Sequence, residues 1–342
     1  MTAVDQGLLD RTVIYDTREE WLSSRAQFIG ASEVAGILGV SEYKGNTPFG
    51  VGIKKLSPPA TDDAPDQPWM EWGHRLEPVI LARYFETRPG LLAQERPPYA
   101  VTVHPVLPLI RGTPDALCVD RDTGELSHGV DAKALGTYRT GEFGDEGSDE
   151  VPTDYAVQGL IYCEIFDVPR WDFAVLFGNH DYREYTVGRD SVVAERMATQ
   201  VLDWWGRYIE RREPLPLDGS DAAERYVRDA WPTHTEVLVE MTHDALKWGQ
   251  IAAQARARIK EQTALKNEAD NNLRALCAGA AGIEGICTNR ASKPREVTDW
   301  KAAFAALSRR VDAGVAASVR SQHTETKPGS RSLRITIKEK QA

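Results

Sequence analysis

Up to about Pro216 the hydrophobic pattern switches repeatedly between the period of a helix and that of a strand. That alternation restricts the chain to architectures in which a sheet is flanked by helices. EPVILARYFET reads as helix, while YAVTVHP, GVDAKAL and RWDFAVLFG read as strands. The spacing predicts a further helix over SVVAERMATQVLDWWGRYIERR, which EPLPLDGS ends with two prolines. An α/β core with a mixed central sheet and helices on both faces is therefore expected over residues 1–217. Residues 218–342 form the expected extension. There HDALKWGQIAAQARARIKEQTALKNEADNNLRALCAG has the composition of one long helix stopping at glycines. A small α+β end follows, with strand-like GICTN and SLRITIKE around helical DWKAAFAALSRR. SPPATDDAPDQP (57–68) and GEFGDEGSDEVP (141–152) read as mobile loops.

Composition excludes several classes. No apolar run approaches the roughly 20 residues of a membrane helix, and the amino terminus lacks a basic-then-apolar leader. Cytoplasmic residence without membrane association is the expectation. Cys118, Cys163, Cys277 and Cys287 form no CxxC pair, so free thiols are expected rather than a zinc or iron–sulfur site. No G-x-S-x-G elbow is present. His74, His104, His128 and His180 are scattered, as surface or capping histidines would be. The net charge of −10 disfavours non-specific duplex binding, but it is uneven. From Glu240 onward 18 Lys and Arg face 11 Asp and Glu, a local excess of +7.

The chemistry concentrates in two short segments. In RGTPDALCVD, Asp115 follows a Thr-Pro turn and precedes an apolar run. In GVDAKAL, Asp131 and Lys133 stand two apart, so on a strand they share one face while Val130 and Ala132 share the other. If the two strands are hairpin neighbours, Asp115 and Asp131 converge on one ion. Carboxylates suit a hard cation such as Mg²⁺, which binds through one or two of them with phosphate and water. A lysine beside them can orient the attacking water or stabilise developing negative charge. A third carboxylate is offered by the helix-like WMEWGHRLEPVILARYFE (69–86), where Glu77 flanks a stripe of Trp69, Trp72, Leu76, Val79 and Ile80 or Arg83. Glu71 and Glu86 compete with it.

Five segments, in order, resemble the lambda exonuclease / YqaJ-like viral recombinase family of PD-(D/E)xK nucleases. They are RAQFIGASEVAGILGVSEY (25–43), MEWGHRLEP, GTPDAL, GVDAK and DYAVQGLIYCEIF (154–166). The resemblance covers roughly residues 20–215 and implies a restriction-endonuclease-like core. It implies that Asp115 and Asp131 bind metal, with the Ala132 carbonyl as a further ligand. Lys133 would be the catalytic lysine, and Glu77 would complete the acidic set directly or through water. Gln158 would lie near the metal and the scissile strand, with Tyr155 packed beside it. The family more often carries Glu at the position of Asp131, one methylene longer.

Arg25 and Ser32 match family residues that hold a 5′-phosphate. The start of the helix read over SEVAGILGV suits an anion, although Ser32 as an N-cap and Arg25 as a surface charge is the simpler reading. The resemblance further implies a Mg²⁺-dependent 5′→3′ exonuclease acting on double-stranded DNA ends, with Mn²⁺ as a substitute metal. A ring-shaped homo-oligomer, a single-strand annealing protein as partner and a phage setting are implied with it. Two alternatives stand beside this reading: an endonuclease on the same fold, and an inactive DNA-binding module. Arg256, Arg258, Lys260 and Lys266 on the long helix could contact DNA, a neighbouring protomer or water.

Overall fold

The computed structural model describes residues 6–56, 68–292, 297 and 299–324. The chain divides into two compact units, Met1–Ala230 and Trp231–Ala342. The first contains strands β1 (Thr12–Ile14), β2 (Ile29–Gly30), β3 (Leu91–Ala93), β4 (Ala100–Val103), β5 (Ile110–Gly112), β6 (Ala116–Asp120), β7 (Leu126–Leu135), β8 (Arg170–Phe177) and β9 (Asp181–Gly188). Its helices are α1 (Gln6–Asp10), α2 (Arg18–Ser24), α3 (Val34–Ile37), α4 (Pro48–Leu56), α5 (Pro68–Glu86), α6 (Thr153–Phe166), α7 (Ser191–Trp205) and α8 (Asp221–Ala230).

The central sheet has the order β3-β6-β7-β8-β9. β6 and β7 form an antiparallel hairpin, β7 and β8 run parallel with α6 as the crossover, and β9 returns antiparallel on β8. A smaller sheet, β1-β4-β5-β2, lies earlier in the chain. Side-chain alternation divides the central sheet into two apolar faces. Leu117, Trp171, Phe173, Val175, Phe177, Tyr185 and Val187 join α6 and α7 in one core. Ala116, Cys118, Val130 and Ala174 join Ile80 and Tyr84 of α5 in another. This is the expected mixed sheet with helices on both faces.

α6 shows why it can serve as the crossover. Tyr155, Val157, Ile161, Tyr162, Cys163, Ile165 and Phe166 are all buried, so the helix is enclosed rather than amphipathic. Its first turn carries buried Asp154, which accepts from Ser41 Oγ (2.5 Å), Glu42 N (2.9 Å) and Asn46 Nδ2 (3.3 Å). The segment after α3 is thereby tied to the end of α6 that bears Gln158.

Several expectations need correction. SEVAGILGV is not one helix: a 3₁₀ turn over Ala31–Glu33 leads into the short α3, and Gly39 at φ +72° ends the run. Gly30, not Ser32, occupies the N-cap position. On α5, Leu76 and Ile80 of the expected stripe pack inward together with Tyr84, but Trp72 and Val79 are 62% and 61% exposed. The segment 141–152 is held rather than loose. Phe143 is buried against Tyr155, Phe177 and Tyr185, and Gly147 N donates to Glu184 O at 2.8 Å. His104 caps a turn by accepting from Val106 N and Leu107 N, but His128 is buried. The loop segment 57–67 and the strand-like SLRITIKE lie outside the described residues.

α8, expected beyond the 217/218 division, packs its Tyr226 ring on Phe49 of α4, 5.5 Å between centroids. The second unit is built on α9 (His243–Cys277), 35 residues long, so about 52 Å at 1.5 Å per residue. Ala278 in the left-handed conformation ends it, just before the expected Gly279. A hairpin of β10 (Gly282–Ile283) and β11 (Cys287–Thr288) follows, then α10 (Trp300–Ser308) and α11 (Ala313–Gln322). All four cysteines are free. Among the described residues no helix is long and apolar enough to cross a membrane.

One buried cation organises the start of the first unit. The Lys55 ammonium donates to Arg25 O (2.6 Å), Phe28 O (2.7 Å) and Glu33 Oε2 (2.6 Å), bridging α4 to the turns around β2. Burial pushes the Lys55 pKa down, with the Glu33 carboxylate opposing. Truncating one partner of such a pair strands the other without water. Lys55→Met is expected to cost about 3–5 kcal/mol of folding stability, read as a lower urea midpoint at unchanged slope.

Candidate active site

The β6–β7 hairpin brings the two aspartates together. Ala116 pairs with Val130 and Leu117 with Gly129, so one step further the register sets Asp115 across from Asp131. At that step a side chain takes over from the ladder: Ala132 N donates to Asp115 Oδ2 at 2.9 Å. Asp115 thereby pins β7 at the residue between Asp131 and Lys133. Alternation then sends Asp131 and Lys133 to the α6 face, while Val130 and Ala132 pack toward α5.

Asp131 is 2% exposed and fully engaged. Its Oδ2 accepts from Lys133 Nζ (2.9 Å) and Gln158 Nε2 (3.0 Å), and its Oδ1 from Trp171 Nε1 (3.4 Å). Gln158 also lies 3.3 Å from Tyr162 OH, which donates to Thr113 O at 2.9 Å, just ahead of Asp115. The Lys133 ammonium lies 5.3 Å from the Tyr155 ring centroid and 5.8 Å from that of Phe173. Tyr155 OH meets Tyr43 OH at 2.7 Å, and Arg139 Nη1 donates to Tyr43 OH at 2.7 Å.

Proton affinities follow from this crowding. Burial pushes the Asp115 carboxyl well up, Asp131 pushes it further, and Lys133 opposes. Burial also raises Glu77, with His74 and Lys133 opposing and Asp131 adding to the rise. Lys133 is held protonated: burial acts against its charge, but Asp131 and Asp115 outweigh it. Glu77 thus senses both Asp131 and Lys133. Among the described residues, however, no three His, Cys, Asp or Glu side chains are gathered closely enough to hold a metal ion. Glu77 is half-buried and within electrostatic reach of both aspartates. The Asp115 and Asp131 carboxylates nonetheless fit a hard cation that keeps several waters, as Mg²⁺ does.

Arg25 reaches the 3₁₀ turn that carries Ser32 through its contact with Glu33. The Arg25 guanidinium lies 3.6 Å from Glu33 Oε1 and 5.4 Å from the Trp21 ring centroid. Its Nη2 sits 3.6 Å from where a Cβ on Gly30 would be, against the turn that holds exposed Ser32. Asn46 joins this turn to α6, donating to Ser32 O (3.2 Å) and to Asp154 Oδ1, one helical turn before Gln158.

Three residues of the aspartate site escape sequence reasoning. Trp171 is buried and donates to Asp131, and Tyr162 spans Gln158 and Thr113. Gly129 pairs with Trp171 across β7 and β8, and a Cβ there would stand 2.1 Å from the Trp171 ring. A bare glycine lets the indole lie across the strand and reach Asp131. The glycine of GVDAK and the four-residue spacing of Gln158 and Tyr162 were the available signals.

A carboxyl whose pKa folding raises binds its proton more tightly in the native state than in the unfolded chain. Stability therefore falls as pH climbs from the ordinary carboxyl range, about 4, through the raised value. Asp115→Asn keeps an acceptor for Ala132 N and removes the charge. In metal-free buffer it is expected to be more stable than the parent at pH 8, with the gap closing toward pH 4, by urea unfolding at both. A less stable variant at pH 8 would contradict the crowding.

Residues 20–165 match the YqaJ-like viral recombinase domain. An uncharacterised YqaJ protein of Bacillus subtilis is 26% identical over 261 residues, 75% of this chain and 77% of that protein. Among solved structures, an alkaline exonuclease from Laribacter hongkongensis is similar at 18% identity and a TM-score of 0.42, covering 62% of this chain and 97% of that one. A phage-related exonuclease from Haemophilus somnus is similar at 12% identity and a TM-score of 0.33, covering 54% and 96%. The likeness to the YqaJ-like viral recombinase domain thus spans residues 20–165, under half of the chain.

Proposed function

We propose that this protein is a metal-dependent deoxyribonuclease that degrades double-stranded DNA from 5′ ends and leaves 3′ single-stranded tails for recombination. The observation that carries the reading is the Asp115–Asp131 pair facing across the β6–β7 hairpin, with the Lys133 ammonium 2.9 Å from Asp131. Asp115, Asp131 and the Ala132 carbonyl would hold Mg²⁺ or Mn²⁺, with Glu77 joining directly or through water. Bound there, the cation supplies a water of lowered pKa and screens the attacked phosphate.

The protein's own groups do the rest. Lys133, kept charged by the aspartates, is placed to steady the attacking water or the negative charge that grows on the phosphate. Gln158 and Trp171 hold Asp131 from two sides, fixing the carboxylate against rotation. Asp115 locks Ala132, so the backbone carbonyl at that residue is presented from a fixed strand. Arg25 and Ser32 would bind the terminal 5′-phosphate through the guanidinium fork and the hydroxyl. The four-residue α3 adds little dipole, so those two side chains carry the contact. A homo-oligomeric ring that retains DNA by topology, and a single-strand annealing partner, complete the proposal on the strength of the family.

The test compares a linear 5′-phosphorylated duplex with a covalently closed circle in Mg²⁺. The linear substrate should be consumed from its 5′ ends, the circle should survive, and chelation should stop the reaction. Asp115→Ala and Lys133→Met should each slow digestion by about 100-fold or more. Equal cutting of the circle would make the protein an endonuclease, and inactivity on both would make it a binding module. An Asp115→Ala protein as fast as the parent would remove the site.

A further inference from the structure

On the α5 face of the central sheet, a polar network sits where apolar side chains would be expected. Tyr84 of α5 is 0% exposed, His128 of β7 is 1% and Asp172 of β8 is 3%. Tyr84 OH donates to Asp172 Oδ2 at 2.5 Å and meets His128 Nε2 at 2.7 Å. Thr186 Oγ1 donates to Asp172 Oδ1 at 2.9 Å, and Arg170 Nε lies 3.2 Å from the same oxygen. Ser127 Oγ lies 2.9 Å from His128 Nδ1, at the irregularity where the β6–β7 register shifts. One assignment satisfies the central atoms: Tyr84 gives its proton to Asp172, His128 Nε2–H donates to the Tyr84 oxygen, and Ser127 donates to Nδ1.

Burying three polar groups is costly unless each finds a partner, and the usual return is a unique register. Register is the property such a network would add to this interface. The sheet offers α5 four alanines, Ala116, Ala132, Ala134 and Ala174, beside the larger Val130, Leu176 and Tyr182, and the alanines let the helix approach closely. Pro78 inside α5 removes a backbone hydrogen bond just beyond Glu77 and loosens the helix at that point. The lengths on the two sides match. Glu77 precedes Tyr84 by seven residues, about 10 Å along a helix. Asp131 follows His128 by three residues, about 10 Å along a strand. The two elements therefore run in opposite senses from a common fixed point, and Glu77 arrives within the field of Asp131 and Lys133.

The geometry points to Tyr84, His128 and Asp172 as positioning residues that fix α5 against β7 and so set the reach from Glu77 to the Asp115–Asp131 pair. This rests on the reading of Glu77 as part of the metal-binding set. Removing the Tyr84 hydroxyl frees the helix to shift, and Glu77 loses its place without being altered.

The test is a double-mutant cycle read by Mn²⁺ binding in electron paramagnetic resonance, with DNA digestion as a second readout. Glu77→Gln and Tyr84→Phe should each weaken Mn²⁺ binding by about tenfold. The double variant should be no weaker than Glu77→Gln alone, because the hydroxyl acts through that carboxylate. Val201→Ala, a cavity in α7, should lower the melting temperature yet leave Mn²⁺ affinity unchanged. Asp172→Asn supplies the same comparison if Tyr84→Phe does not refold to the parent near-ultraviolet circular dichroism. Losses that add in full would show that the network acts independently of Glu77 and overturn the proposal, as would a Tyr84→Phe protein of parental Mn²⁺ affinity, either result leaving the Glu77 reading intact. A Glu77→Gln protein with parental Mn²⁺ affinity would instead end the reading of Glu77, and this proposal with it.

Discussion

Asp115 and Asp131 oppose each other across a hairpin, and the rest of the first unit is arranged around that confrontation. Burial raises the proton affinity of Asp115, and the Asp131 carboxylate beside it adds to the effect. The Lys133 ammonium, 2.9 Å from Asp131, offsets this charge. The hairpin supplies the proximity by register alone, while the hydrogen bond from Ala132 N to Asp115 converts the ladder's end into a rigid corner. On the proposed reading, a site with this imbalance would attract a divalent ion, and a phosphate brought by that ion would meet the ammonium beside it.

The sheet's two faces serve this corner differently. On the α6 side, an enclosed helix places Gln158 and Tyr162 against Asp131 and the Thr113 carbonyl, and a glycine gives the Trp171 indole room to lie across β7. On the α5 side, small residues allow close helix approach, and buried hydrogen bonds take over the task of fixing register. Asp154 and Asn46 then bind the 31–46 segment to the first turn of α6, so the Ser32 turn and the aspartates share one scaffold helix.

What could be read from the chain alone was whatever depends on short-range periodicity. Asp131 and Lys133 share a face because strands alternate, and Asp115 meets Asp131 because a turn of modest length between two strands favours a hairpin. The partners of Asp131 were less legible. Trp171 comes from a strand that is a parallel neighbour only by way of α6, and nothing local marks its indole as pointing at a carboxylate. On α5 the inward line was legible at Leu76 and Ile80 but not at Trp72 and Val79, which look like core residues, whereas Tyr84, bound to buried polar groups, turns inward. Segment 141–152, acidic and glycine-rich, hid one anchor, Phe143, whose ring is held by three others. The reading of SEVAGILGV as a single helix failed at Gly39, whose positive φ ends the run early.

The central claim is that Asp115 and Asp131 share one divalent ion. Anomalous diffraction from crystals soaked in Mn²⁺ tests it without reference to activity. A peak between the two carboxylates, at about 2.0–2.2 Å from an oxygen of each, is the predicted result. Density elsewhere, with the Asp115–Ala132 and Asp131–Lys133 contacts undisturbed and no ion between them, would contradict it.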